Sequence, residues 1–353
     1  MIYKNNQTAM NNSSETLAGI VSQVGTADVT ALRKFLFSNP SQPLVATGSG
    51  GCESVGDFLA LLYGVRGGMA QAVTPYTLNS FNDNALRTAK VVLLSSGGHN
   101  NDIIAATRRS LEVNPDGTAC VNFSDSDRNE ALKLFRKAGA PHAFVPPVHG
   151  VHDGFMSVGT SLAYFALLAK VFQPGVDLGK YMAAPAKPFT FCLNDGTTLA
   201  PSEFGKIRSY VLLHGSWGRP VAVNLEGKMV ESGLAPAIVC DYRNHCHGRF
   251  IWESNHLDDT AVVMFVSPRE RDLAERTRKF LPARTKLVLI ETVEDAPEAS
   301  LDLLIRATEF FRAACAASGV NPVSPANPGR IDKRVPISIP FVAEMRKNGP
   351  LSL

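Results

Sequence analysis

The chain has 353 residues, 45% apolar and 19% charged. That is enough to bury a large core and divide into two domains of roughly 150 residues each, and it argues against intrinsic disorder. Thirty-five lysines and arginines against 32 aspartates and glutamates give a formal charge of +3, too diffuse to suggest a nucleic-acid surface.

The opening stretch MIYKNNQTAMNNSSE lacks the basic and apolar regions of a secretory signal, and no stretch approaches the ~18 uncharged apolar residues of a membrane span. A soluble, cytoplasmic protein is expected. The cysteines Cys52, Cys120, Cys192, Cys240, Cys246 and Cys315 show no CxxC spacing and read as core residues or free thiols of a reducing compartment.

After a leader and helix over residues 1–24, apolar runs at Leu44-Val45-Ala46, Val91 to Leu94, Ala119 to Asn122 and Ala143-Phe144-Val145 alternate with segments of helical spacing. This is the pattern of βαβ units and a parallel sheet, so the fold class is α/β. A Pro/Gly-rich stretch from Gln173 to Pro188 follows, and then the pattern starts again. Strand-like runs recur at Tyr210 to Leu213, Ala237 to Cys240, Ala261 to Val266 and Thr285 to Ile290. The domains are read as residues 25–184 and 185–318, with a Pro-rich tail over 319–353.

In an open parallel sheet, ligands bind beyond the carboxyl ends of the strands. The first such end reads VATGSGGCESVGDFLALLYG (45–64), in which glycines admit close backbone approach and a helix N-terminus adds unpaired N–H groups. It lacks the third glycine of a dinucleotide fingerprint and the lysine of a P-loop. A tight structural turn is the bland alternative. The second end reads VVLLSSGGHNND (91–102), leading into an amphipathic helix.

In the later half, Val221, Leu225 and Met229 recur every four residues, so a helix buries that face and ends at Gly233. Lys228 and Glu231 share another side, and His247-Gly248 follows 16 residues after Glu231. Glu231 alone fits a solvated helix residue with Lys228 as its ion-pair partner, and His247 alone fits a structural histidine. His149, His152, His245 and His247 raise the question of a metal, but the HxxH pair lies in a glycine-rich loop without a nearby carboxylate set.

Strand–GSGGCES–helix followed about 45 residues later by strand–SSGGHNND–helix resembles the SIS (sugar isomerase) domain, whose first two strand-end loops hold a sugar phosphate. Ser95 matches the family's first serine and Asp102 its acid, while Gly97 and Asn100 replace its second serine and threonine. Ser49 and Gly50 stand where the glucosamine-6-phosphate synthase branch shows Thr-Ser, and Ser96 and Asn100 become substitute donors. Hydroxyls and amides suit a dianion because they donate several hydrogen bonds without a fixed cation.

The K-x-x-E helix followed by H-G is similar to the isomerase domain of those synthases. The resemblance implies that Glu231 moves a proton between C1 and C2 of the open sugar, that His247 assists ring opening, and that Lys228 lies beside the enediolate charge. Lys333, in NPGRIDKRVPISIP, falls at the lysine that enters the sugar site, with a solvated basic tail as the alternative. Ser157 falls at a sugar-contacting serine, with a helix N-cap as the alternative.

Aldose–ketose conversion needs a base near pH 7, a separate donor for the ring oxygen and a positive group for the enediolate, and a raised carboxylate, a histidine and a lysine fill these roles. The implied fold is two tandem SIS domains, each an αβα sandwich with a five-stranded parallel sheet. The implied protein is an isomerase or a deaminase of amino or glycated sugar phosphates, a homodimer with shared sites, using no cofactor or metal and working without a glutaminase domain. The alternative is a non-catalytic sensor of a phosphosugar or sugar nucleotide.

Overall fold

The computed structural model describes residues 13–149, 151, 156, 158–322 and 325. Their contacts form two compact units, one of residues 26–149 and one of residues 13–25 with 151–325.

In the first unit, β1 (Leu44–Gly48), β3 (Lys90–Leu94) and β4 (Thr118–Val121) are buried at every position, as befits parallel strands covered on both faces. With β2 (Ala70–Val73) and β5 (Ala143–Phe144) they form a five-stranded sheet of order β2-β1-β3-β4-β5, and every pairing is parallel. Its helices are α1 (Ser13–Thr26), which belongs to the other unit up to Gly25, and then α2 (Thr30–Phe37), α3 (Gly51–Val65), α4 (Pro75–Asn79), α5 (Asp83–Thr88), α6 (Asn101–Val113) and α7 (Glu130–Ala138). Val55, Phe58, Leu59 and Leu62 form the buried stripe of α3, as their spacing predicts. Asn100 and Asn129 cap α6 and α7, each accepting a backbone N–H through its side chain.

The second unit is built around β6 (Thr190–Leu193), β7 (Ser209–His214), β8 (Ala237–Asp241), β9 (Thr260–Val266) and β10 (Lys286–Glu291), in the order β6-β10-β9-β7-β8. Read from the other edge, β8-β7-β9-β10 repeats β2-β1-β3-β4 with the same parallel pairings. The expected α/β class and the paired five-stranded sheets are therefore observed. One strand departs from the all-parallel expectation: β6 enters before the repeat begins and pairs antiparallel with β10. The helices are α8 (Val158–Phe172), α9 (Arg219–Glu231), α10 (Ile251–Asn255), α11 (Arg271–Phe280) and α12 (Glu298–Ser318). α8 packs on α12, and Lys170 of α8 donates to the Val24 and Gly25 carbonyls at the end of α1.

The six cysteines are free, and only Cys246 is exposed. Among the described residues, no helix is long and apolar enough to cross a membrane, and no group of three or more His, Cys, Asp or Glu side chains is placed to hold a metal.

Lys90 shows how the first sheet is tied to its surroundings. Its side chain is buried, and Nζ donates to the Leu36 and Asn39 carbonyls at 2.7 and 3.0 Å, covering the open end of α2. Burial lowers its pKa. Lys90→Met keeps most of the volume and removes both bonds, so it should lower unfolding free energy by roughly 1–3 kcal/mol. Urea denaturation checks this, and an unchanged midpoint would show that the two carbonyls need no donor.

Candidate active site

The strand order of the first sheet reverses direction between β1 and β3, so the loops leaving these two strands diverge at the carboxyl edge, the place where open parallel sheets form a crevice. Both loops singled out in the sequence leave the sheet there. Gly48 of β1 pairs with Leu94 of β3, which sets Ser49 and Gly50 beside Ser95 and Ser96. Cys52, in the first turn of α3, approaches the Ser96 backbone, and burial raises its thiol to about 12, with that contact opposing.

Ser95 Oγ accepts the Gly98 N–H at 3.1 Å and thereby folds the second loop onto itself. Asn100 Oδ1 accepts the Asp102 N–H at 2.8 Å, so this donor candidate already serves as a helix cap through its oxygen. The Thr47 and Ser49 hydroxyls, on the same face of the departing chain, are buried and have no hydrogen-bond partner among the described residues. Buried hydroxyls are normally satisfied, so this edge has donors to spare.

Lys228 and Glu231 lie on α9. Lys228 is buried and donates to Asn224 Oδ1, and Asn224 Nδ2 donates to Ser161 Oγ of α8 at 3.0 Å. The ammonium is thus held by a chain of amide and hydroxyl groups running across two helices. Glu231 reaches solvent, yet the protein packed around it raises its carboxyl above the ordinary value, against the opposing charge of Lys228.

His247 is exposed, in the turn that follows β8. That turn is fixed from both sides. Asp241 Oδ1 accepts the Arg243 and Asn244 N–H groups at 2.9 Å each, and buried His245 meets buried Glu253 of α10 at 2.6 Å. Topology separates His247 from Glu231 within the chain. α9 runs back from the carboxyl end of β7, so Glu231 lies at the edge where β8 begins, whereas His247 lies beyond the edge where β8 ends.

Ser157, His152 and Lys333 lie outside the described residues. The other candidates fall into three places: Ser49, Gly50, Ser95, Ser96, Gly97 and Asn100 at the first switch point, Lys228 and Glu231 at the end of α9, and His247 after β8.

The second switch point was missed in the sequence. β7 ends at His214 and leads into Gly215-Ser216-Trp217-Gly218, which repeats the Gly48-Ser49-x-Gly51 pattern of the first half. The loop after β9 starts with Ser267, at the place of Ser95. Four residues beyond the strand stands Glu270, where the first half has Gly98. The Ser267 hydroxyl donates to the Glu270 carboxylate at Oε2, and the backbone N–H groups of Trp217, Ser216 and Ser267 lie near enough to favour its charged form. Burial nonetheless leaves its pKa raised. The repeated Gly-Ser-x-Gly was the available sequence signal, but it does not reveal Glu270, which lies 52 residues beyond Gly218.

The sequence matches no protein-family model. It also matches no curated protein. Solved structures do match. A tagatose-6-phosphate ketose/aldose isomerase from Escherichia coli superposes with a TM-score of 0.67 at 15% identity, covering 91% of this chain and 95% of its own. The chain has the double-SIS fold. Glucosamine-6-phosphate deaminase from Thermotoga maritima gives 0.61 at 15% identity, over 88% of this chain and 97% of that one. The C-terminal domain of glucosamine-fructose-6-phosphate aminotransferase from Francisella tularensis gives 0.59 at 11% identity, over 89% and 96%.

Two glycines of nearly equal φ test whether the first loop is shaped by crowding. Gly98 (φ +63°) would drive a Cβ into the Asn129 amide, whereas Gly139 (φ +64°), at the end of α7, has open space. Gly139→Ala should cost about 1–2 kcal/mol from backbone strain alone. Gly98→Ala should cost roughly 1–3 kcal/mol more, because the Asn129 cap must also shift. Parallel denaturation of the two variants measures the difference, and equal losses would mean that the loop yields freely.

Proposed function

We propose that the protein isomerises or deaminates a ring-opened sugar phosphate by moving a proton between C1 and C2. The observation that carries this reading is the raised carboxyl of Glu231, one turn beyond a buried and anchored Lys228, in a chain with the double-SIS fold. A carboxylate with raised pKa is a stronger base at neutral pH, and a fixed ammonium stabilises the oxyanion of an enediolate.

In this reading the hydroxyls of Ser49, Ser95 and Ser96 and the amides around Gly50, Gly97 and Asn100 take the phosphate. Glu231 removes the proton from one carbon and returns it to the other. With a 2-amino sugar, the same transfer gives an imine at C2, which water hydrolyses to a ketose and ammonia. Ser157 and Lys333 are retained as sugar contacts in the proposal.

His247 serves ring opening in a second copy of the chain. Its position across the sheet from Glu231 supports this, as do the exposed Phe250, Ile251 and Trp252 that follow it. We therefore expect a homodimer with shared sites. The residue boundaries 25–184 and 185–318 remain the proposed division into two SIS domains, with the tail over 319–353 returning to the site.

The test is solvent-deuterium exchange at the sugar C1 or C2, with ammonia release, across a panel of hexose and aminohexose phosphates. Glu231→Gln should bind nearly as wild type and lose ~10²–10⁴ in turnover. Equal turnover would remove Glu231 as the base. Tight binding by wild type with neither exchange nor ammonia release would favour a sensor for those ligands.

The charge of Lys228 lowers the Glu231 pKa, so Lys228→Met should raise it further. The acid limb of the pH–rate profile should then move to higher pH, since the base is lost by protonation at a higher pH. An unmoved limb would dissociate the two residues.

A further inference from the structure

The two halves of the chain build the same strand-end cradle and differ in what fills it. In the second half the filling group is part of the protein. Glu270 is buried, its carboxylate accepts the Ser267 hydroxyl with the Trp217, Ser216 and Ser267 backbone N–H groups close by, and Ser300 Oγ of α12 supports the loop by donating to the Trp217 carbonyl at 2.6 Å.

The fit extends to the backbone. A Cβ on Gly215 would fall inside the Glu270 side chain, so glycine at this position is what admits the glutamate. In the first half the residue four places beyond β3 is Gly98, which has no side chain to send into the crevice, and the Ser49 hydroxyl is left buried and unpaired among the described residues.

We propose that Glu270 is a permanent internal anion that closes the second switch point, so that each chain has one open anion cradle, at the loops after β1 and β3. A tethered carboxylate loses no translational freedom on binding and stands at a high effective concentration, so an external phosphate does not displace it. Its removal turns the second cradle into a site for inorganic phosphate, because Cγ, Cδ and both carboxylate oxygens leave a space lined by the same four donors. The internal-anion assignment stands on the second unit alone; only the naming of the open cradle rests on the proposed function.

The experiment is a calorimetric titration of full-length wild type, Glu270→Ala and Glu270→Gln with inorganic phosphate. Glu270→Ala should bind one more equivalent per chain than wild type and gain thermal stability with phosphate. Glu270→Gln, whose amide still fills the space, should bind the same number as wild type. Equal stoichiometry in wild type and a folded Glu270→Ala would overturn the proposal, and so would two equivalents in wild type or an added equivalent in Glu270→Gln.

Should Glu270→Ala unfold without phosphate, circular dichroism follows its refolding. Phosphate-dependent recovery supports the proposal, and no recovery in saturating phosphate overturns it. Zero equivalents in wild type with one in Glu270→Ala would uphold the internal anion while removing the phosphate reading of the β1/β3 loops.

Discussion

A helix that follows a parallel strand begins with backbone N–H groups that no residue of its own can satisfy. Both sheets place two such turns side by side, because the strand order reverses between β1 and β3 in one and between β7 and β9 in the other. Donors concentrated at one edge, with the positive ends of helix dipoles behind them, require an anion or an ordered polar partner. Much of the character of each half follows from how that requirement is met.

The second half meets it internally, with consequences in its sequence. Glu270 needs a glycine at 215 for clearance and a serine at 267 as donor, while a buried Trp217 stands where the first half has Gly50. The first half keeps small residues at the matching positions and two hydroxyls without partners among the described residues. One half therefore fills its strand-end turns with its own side chain and the other leaves buried hydroxyls unpaired among the described residues, although the strands beneath them are paired alike.

Most of this architecture was legible from apolar runs, because a strand buried on both faces leaves a continuous signature. β1, β3, β4, β7, β9 and β10 all showed it. β2, with sequence AQAV, escaped because only Val73 is buried on this edge strand, and β6 escaped because four residues pairing antiparallel at an edge carry too little pattern. In the site, the serine and glycine loops and the Lys228–Glu231 spacing were visible because they are local. Glu270 was not, because its partners lie some 50 residues earlier and meet it only once β7 and β9 pair. The cap made by Asn100 and the anchoring of Lys228 by Asn224 also depend on three-dimensional contacts that spacing does not encode.

The same distinction bears on Glu231 and His247. Glu231 and His247 stand sixteen residues apart in sequence, but Glu231 closes α9 and the residues between include the whole of β8, which carries the chain to the opposite edge of the sheet. The five residues of β8 alone advance the chain by about 17 Å, which sets the two groups at opposite ends of the strand. The turn that carries His247 is anchored by Asp241, whose Oδ1 accepts the Arg243 and Asn244 N–H groups, and by the buried contact of His245 with Glu253. His247 itself is exposed, as are Phe250, Ile251 and Trp252 after it, so these contacts fix the backbone of the turn and leave the imidazole open to solvent.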